Sequence, residues 1–118
     1  MKKDVIVIGA GAAGLMAAAA ASENGHRVTV LEKNEKAGKK IYITGKGRCN
    51  LTNDCAKEDF FANVPRNYKF LYSAVYGFDH DMVIDFFEMN GCPVKVERGN
   101  RVFPVSDHAS DVTAALLR

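Results

Sequence analysis

The sequence predicts an α/β fold that opens on a Rossmann-like βαβ unit, and three observations predict it. An apolar run, Asp4-Val5-Ile6-Val7-Ile8, leads straight into Gly9-Ala10-Gly11-Ala12-Ala13-Gly14, a Gly-x-Gly-x-x-Gly pattern. An alanine-rich stretch then runs from about Ala13 to Asn24 and meets Gly25, a residue well placed to end a helix. A second apolar run, Arg27-Val28-Thr29-Val30-Leu31, closes on Glu32, 18 residues after Gly14. Strand, glycine turn, helix, strand and terminal acid together form the dinucleotide-binding fingerprint. A glycine-rich turn alone is a weak signal; an ordinary βαβ unit with such a turn is the bland alternative.

Each position has a physical task. Gly9 permits a sharp turn at the strand end, where a side chain would clash. Gly11 leaves the main chain open to a pyrophosphate. Gly14, with small Ala17 and Ala18 behind it, lets the helix lie close on the strand. The first helical N–H groups and the positive end of the helix dipole then face the phosphates. A Glu32 carboxylate can accept both hydroxyls of an adenosine ribose, and it repels a ribose 2′-phosphate, which disfavours NADP in this pocket.

The βαβ unit spans 4–32, with strands over 4–9 and 27–32. A polar connection follows over 33–54, rich in Gly, Lys, Asn and Thr; a loop of that length inside a domain is usually functional. Residues 56–104 read as an inserted helical segment and β-hairpin. One helix covers Glu58 to Val64 and stops before Pro65. A second covers Asn67 to Tyr76, with Tyr68, Tyr72 and Tyr76 in one stripe that reads as packing. A third is capped by Asp79, carries Met82, Val83, Phe86, Phe87 and Met89, and ends at Gly91. Val94–Glu97 and Arg101–Phe103 alternate around Arg98-Gly99-Asn100 as a hairpin. A last helix, capped by Ser106 or Asp107, is expected from 106 onward. The pattern is still helical at Arg118, and two parallel strands are few for this fold, so an incomplete domain continued by the remainder of a parent chain is the expectation.

Composition bounds the rest. The chain has 118 residues, 47% hydrophobic and 25% charged, with a net charge of +2, which is ordinary for one globular domain. Met1-Lys2-Lys3 before an uncharged run over 5–21 imitates a signal peptide, but Asp4 breaks the basic start and glycines fill the run. The expectation is a cytoplasmic protein with neither membrane nor nucleic-acid partners. Cys49, Cys55 and Cys92 form no Cys-x-x-Cys pair, and His26, His80 and His108 show no metal-ligand spacing, so no metal is expected.

The connection carries a second signal: Glu32-Lys33 followed by Gly38-Lys39-Lys40, then Thr44-Gly45-Lys46-Gly47-Arg48-Cys49-Asn50-Leu51-Thr52-Asn53. The first part resembles FAD proteins of the glutathione-reductase-like superfamily. The second, with Gly99-Asn100-Arg101-Val102-Phe103-Pro104-Val105-Ser106, is similar to the amino-terminal part of the aminoacetone-oxidase-type, bile-acid-reductase-like family of FAD-dependent oxidoreductases. The resemblance implies bound FAD, with NAD(P)H as an electron donor, and two-electron redox of a small-molecule substrate. It implies a cofactor set of Gly9, Gly11, Ala12, Ala13, Gly14, Glu32, Lys33, Lys39, Lys40 and Arg48, with Cys49 and Asn50 towards the flavin ring. The chain departs from the pattern at Lys39, where relatives often have a second glycine, and at Thr44 and Lys46.

The residues themselves speak in part for this. Lys33, Lys36, Lys39, Lys40, Lys46 and Arg48 suit an anionic diphosphate, or form a solvated basic loop. Cys49 and Cys55 enclose five residues, one more than the dithiol spacing of related reductases, so Cys49 reads as a packing residue against a dithiol alternative. The alternatives to a flavin oxidoreductase are a non-enzymatic NAD-binding or redox-sensing module and a dithiol flavin reductase.

Overall fold

A computed structural model describes residues 1–117; Arg118, where the expected helix is still running, lies outside the described residues. The chain opens with β1 (Asp4–Ile8), α1 (Ala12–Glu23) and β2 (Arg27–Leu31). The strands pair in parallel from Asp4↔Arg27 to Ile8↔Leu31. The Gly9 N–H extends the ladder by donating to the Leu31 carbonyl at 2.8 Å. Gly9 then turns with φ +101°, a conformation that side chains disfavour. Gly14 is where helix and strand touch: a Cβ built there would lie 1.9 Å from the Gly9 carbonyl oxygen. Ala18 is half-buried on the same helix, whereas Ala17 faces out. Gly25, φ +83°, follows the helix end as expected.

The second region is an antiparallel sheet with helices packed around it. Its order is β3 (Thr52–Asn53), β5 (Arg101–Pro104), β4 (Val94–Glu97). The hairpin β4–β5 lies where the alternation placed it; β3 was hidden, since two residues carry no readable period. The helices α2 (Lys57–Ala62), α3 (Tyr72–Gly77) and α4 (His80–Met89) precede the hairpin, and α5 (Ala109–Leu116) follows it. Asp79 caps α4 by accepting the Met82 N–H at 3.0 Å. The helix expected over 67–76 is broken into a 3-10 turn, Tyr68–Leu71, and α3. Its tyrosines gather around buried Phe61, with Tyr72 edge-on at 4.7 Å and Tyr68 and Tyr76 beside it, but all three stay exposed rather than forming a core.

The start of the last helix is a correction. Neither Ser106 nor Asp107 caps it. Ser106 Oγ accepts the His108 N–H at 3.2 Å, closing a turn, and Asp107 adopts φ +61° and turns its carboxylate to basic side chains. The helix begins at Ala109 and buries Ala109, Val112, Thr113, Ala115 and Leu116. Ala109, Val112, Ala115 and Leu116 meet Leu15 of α1, Phe87 of α4, Ile41 and Cys49 in one core. The connection is fixed between the two regions. The Gly38 N–H donates to the Ala10 carbonyl at 2.7 Å, and a Cβ at Gly38 would lie 2.8 Å from Thr113 Oγ1. Among the described residues no helix is long and apolar enough to cross a membrane.

Candidate functional site

An open cleft of about 1030 Å³ lies at the carboxyl ends of the two parallel strands, the place where ligands bind in open α/β sheets. Three segments line it: Ile8 to Ala12 from the glycine turn, Leu31 to Asn34 from the end of β2, and Lys39, Lys40, Ile41, Ile43 and Thr44 from the connection. Of the expected cofactor residues it gathers Gly9, Gly11, Ala12, Glu32, Lys33, Lys39 and Lys40. Ala13 and Gly14 stand just behind, in the first turn of α1.

The glycine turn supplies donors and space. Gly11 is the residue before the helix, in an extended conformation, and its carbonyl accepts the Leu15 N–H at 2.9 Å. The N–H groups of the first turn therefore lack helical partners. No acidic side chain sits in that turn to neutralise the dipole. A Cβ at Gly11 would meet nothing within 4 Å, so the main chain is open on that side. This is a cradle that suits a diphosphate.

Glu32 is held by backbone. Oε1 accepts the Ala10 N–H and Oε2 accepts the Asn34 N–H, each at 2.8 Å. The Asn34 bond, then the Ala10 bond, lower its pKa below the usual carboxylate value, with a smaller aid from Lys33. The side chain is thus an oriented anion, and its remaining lone pairs can accept ribose hydroxyls. Asn34 was not singled out from sequence; its place two residues beyond the acid is the signal that could have found it. Lys39 pairs with Glu35 at 3.4 Å, and Lys36 lies over the Tyr42 ring at 3.8 Å. Lys40 has no ion-pair partner among the described residues, which leaves its charge free to serve the cleft.

Arg48, Cys49 and Asn50 do not line the cleft. Arg48 Nε donates to Asp107 at 2.9 Å, its Nη2 donates to Glu97, and its guanidinium lies over the Phe103 ring at 4.0 Å. Glu97, then Asp107, raise its pKa. The acids are lowered in turn, Glu97 chiefly by Arg48 and Asp107 chiefly by Lys95. Sequence reading missed Lys95, Glu97 and Asp107, because their meeting with Arg48 is a product of the fold. Cys49 is buried with φ +61°, and burial pushes its thiol pKa up. A thiol so placed resists forming the thiolate that disulfide exchange needs. Asn50, with its amide oriented to donate, bridges the carbonyls of Thr52 (2.9 Å) and Val102 (3.2 Å).

Away from the cleft, His80 Nε2 stands 3.3 Å from Asp54 and 3.4 Å from Asp81. No sequence spacing announces this cluster, since the fold brings Asp54 to the start of α4.

A glycine turn at a helix start, an oriented acid at the next strand end and a cleft between them define a Rossmann-type dinucleotide-binding domain. The chain belongs to the HI0933-like protein Rossmann domain family, whose model matches residues 3–118. It is 37% identical over 112 residues to the 3-dehydro-bile acid delta(4,6)-reductase of Clostridium scindens, covering 93% of this chain and 27% of that protein. It is 39% identical over 88 residues to the ribosomal RNA dihydrouridine synthase of Escherichia coli, covering 75% of this chain and 22% of that protein. An L-amino-acid oxidase of Gloydius halys is 45% identical over 62 residues, 52% of this chain and 10% of that protein. The chain thus spans about a quarter of the length of the first two relatives.

Proposed function

We propose that the protein is an FAD-dependent oxidoreductase and that this chain supplies the adenosine and pyrophosphate half of the cofactor site. The observation that carries the reading is the Glu32 carboxylate, pinned by two backbone N–H groups at the rim of a cleft floored by the glycine turn. The α1 N-terminus would hold the diphosphate, with Lys39 and Lys40 at the opposite wall. Glu32 would orient the ribose and turn away a 2′-phosphate. When bound, FAD supplies two-electron chemistry; the chain's part is to fix its position and charge.

The reaction direction we favour is reduction. The two relatives that cover most of this chain are named for a bile-acid reductase and a dihydrouridine synthase. Dihydrouridine is uridine with its ring double bond reduced, so both names denote addition of two electrons and two protons to a carbon–carbon double bond. We therefore assign the protein a substrate with an electron-poor double bond conjugated to a carbonyl, reduced at the expense of NAD(P)H. A small enone is the simpler case; a nucleobase is the second, favoured by the dihydrouridine synthase match. The decisive experiment is to purify the full-length protein, identify the released cofactor by mass, and follow flavin reoxidation by an enone and by uridine-containing RNA. FAD with reoxidation by one of them is the expected result. NAD alone, without flavin absorbance, overturns the reading in favour of an NAD-binding module.

A further inference from the structure

We infer that Arg48 is a positioning residue that fixes one wall of the dinucleotide cleft from behind, by locking a strained turn onto the hairpin. The inference rests on the FAD reading above.

The turn runs against backbone preference. Gly45, Lys46, Gly47 and Cys49 have φ of 56°, 57°, 86° and 61°. Lys46 and Cys49 carry side chains that disfavour this region, and a conformation of that kind persists only where its surroundings over-determine it. The near end of the segment, Ile41, Ile43 and Thr44, forms the cleft wall. Whatever holds the turn therefore holds the wall.

Arg48 ties the turn to the hairpin and to the bend before α5. It stacks on Phe103 of β5 and donates to Glu97 of β4 and to Asp107 in the bend before α5. Lys95 completes the group, with Nζ 2.9 Å from Asp107 and 3.3 Å from Glu97. Two cations and two anions balance, so the cluster has no net charge to offer a diphosphate. Arg48 would have to abandon both carboxylates to reach the cleft. Its planar fork satisfies two acids in different directions while one face rests on an aromatic ring, which a lysine ammonium cannot do. Gly45 completes the fit on the other side. A Cβ there would lie 2.8 Å from the Asn50 backbone nitrogen and 3.3 Å from the Phe103 ring, so the turn has little room to slide.

The test uses the full-length protein stripped of cofactor and titrated with FAD, with the visible flavin spectrum and the melting temperature recorded for each variant. Arg48→Ala is expected to weaken FAD binding about tenfold and to shift the spectrum. Arg48→Lys should recover less than half of that loss, and Glu97→Gln should move both readouts in the same direction by less. Phe61→Ala, in the aromatic cluster away from both the charges and the hairpin, should lower the melting temperature and leave affinity and spectrum alone. A folded Arg48→Ala with wild-type affinity and spectrum overturns the proposal. So does a Phe61→Ala variant that shifts both readouts as much at an equal loss of melting temperature. If Arg48→Ala does not fold, Arg48→Lys and Glu97→Gln decide on the same readouts, and wild-type values in both overturn it. A wild-type protein that takes up no FAD overturns this inference together with the cofactor reading, whereas unchanged variants of an FAD-binding protein overturn this inference alone.

Discussion

The βαβ unit and the hairpin region are built on opposite plans. In β1 and β2 the burial alternates along each strand, and Ile6 and Ile8 are 66% and 86% exposed. Only Leu15 of α1 is fully buried. In the hairpin region Val102, Phe103 and Pro104 are buried in succession, and α5 buries five of its eight residues. The cleft therefore belongs to the loosely packed part, and its wall in the connection, exposed except at Ile41, is backed by the well-packed part. Site and core meet at two residues, Ala10 of the glycine turn and Ile41 of the connection, which line the cleft and are buried in the core behind it.

Substitutions can break that contrast, and the largest effect is expected at Gly14. A Gly14→Val side chain meets the Gly9 carbonyl, backbone against which it has no room. We expect loss of the folded βαβ unit, seen as aggregation or a collapsed thermal transition. Gly11→Val makes the opposite test. Its Cβ enters open space, so the fold should survive with a cost below about 1 kcal/mol while dinucleotide binding is abolished. If the two variants behaved alike, the division between packing glycine and ligand glycine would be wrong. Next in size is Val112→Ala in α5, which empties a buried site and should cost about 2 kcal/mol by urea unfolding. Ile6→Thr, on the exposed face of β1, should cost less than about 0.5 kcal/mol by the same measurement.

Two smaller effects sharpen the comparison. The pKa values of Glu97 and Asp107 lie below their ordinary values in the fold. Their contribution to stability is complete above the ordinary carboxylate range, near pH 4, and is lost as pH falls through the depressed values. The melting temperature should accordingly drop in acid, and Glu97→Gln should flatten that drop; an unchanged slope would show that the ion cluster adds nothing. The smallest effect concerns thiols. Cys49 is buried with a raised pKa, whereas Cys55 is half-buried. We expect Cys55 to react first with a thiol reagent at pH 8, and Cys49→Ser to leave flavin reduction intact. A Cys49 that reacts as fast as Cys55 would revive the dithiol alternative.

What could be read from sequence follows the same division. The fingerprint, the hairpin and the Asp79 cap are encoded within a few neighbouring residues, and each lies where its local pattern places it. Glu32 was legible because strand, turn and helix have standard lengths, which puts the acid at a set distance from Gly14. The partners of Arg48 were not. Glu97 reads only as the end of a hairpin strand and Asp107 only as a helix cap until β4 and the bend before α5 bring them to the connection. Asp107 also misled as a helix cap, since its residue type suits that role and only the backbone reveals that the helix starts two residues later. The break at Leu71 was likewise invisible, because a 3-10 turn keeps the tyrosines on one side much as an α-helix does.

The pressing of Gly38 against Thr113 has a consequence in time as well as space. A ribosome releases the glycine turn and the strand-end acid before the helix that backs the connection. The cleft's outer wall cannot set until α5 has emerged and docked, because closing so long a loop costs entropy that only late contacts return. Until residue 113 has emerged the nascent chain would thus hold a phosphate cradle with one side missing. Binding competence should arrive abruptly, at chain lengths that expose residue 113, and arrested nascent chains of graded length titrated with a fluorescent dinucleotide would show the step.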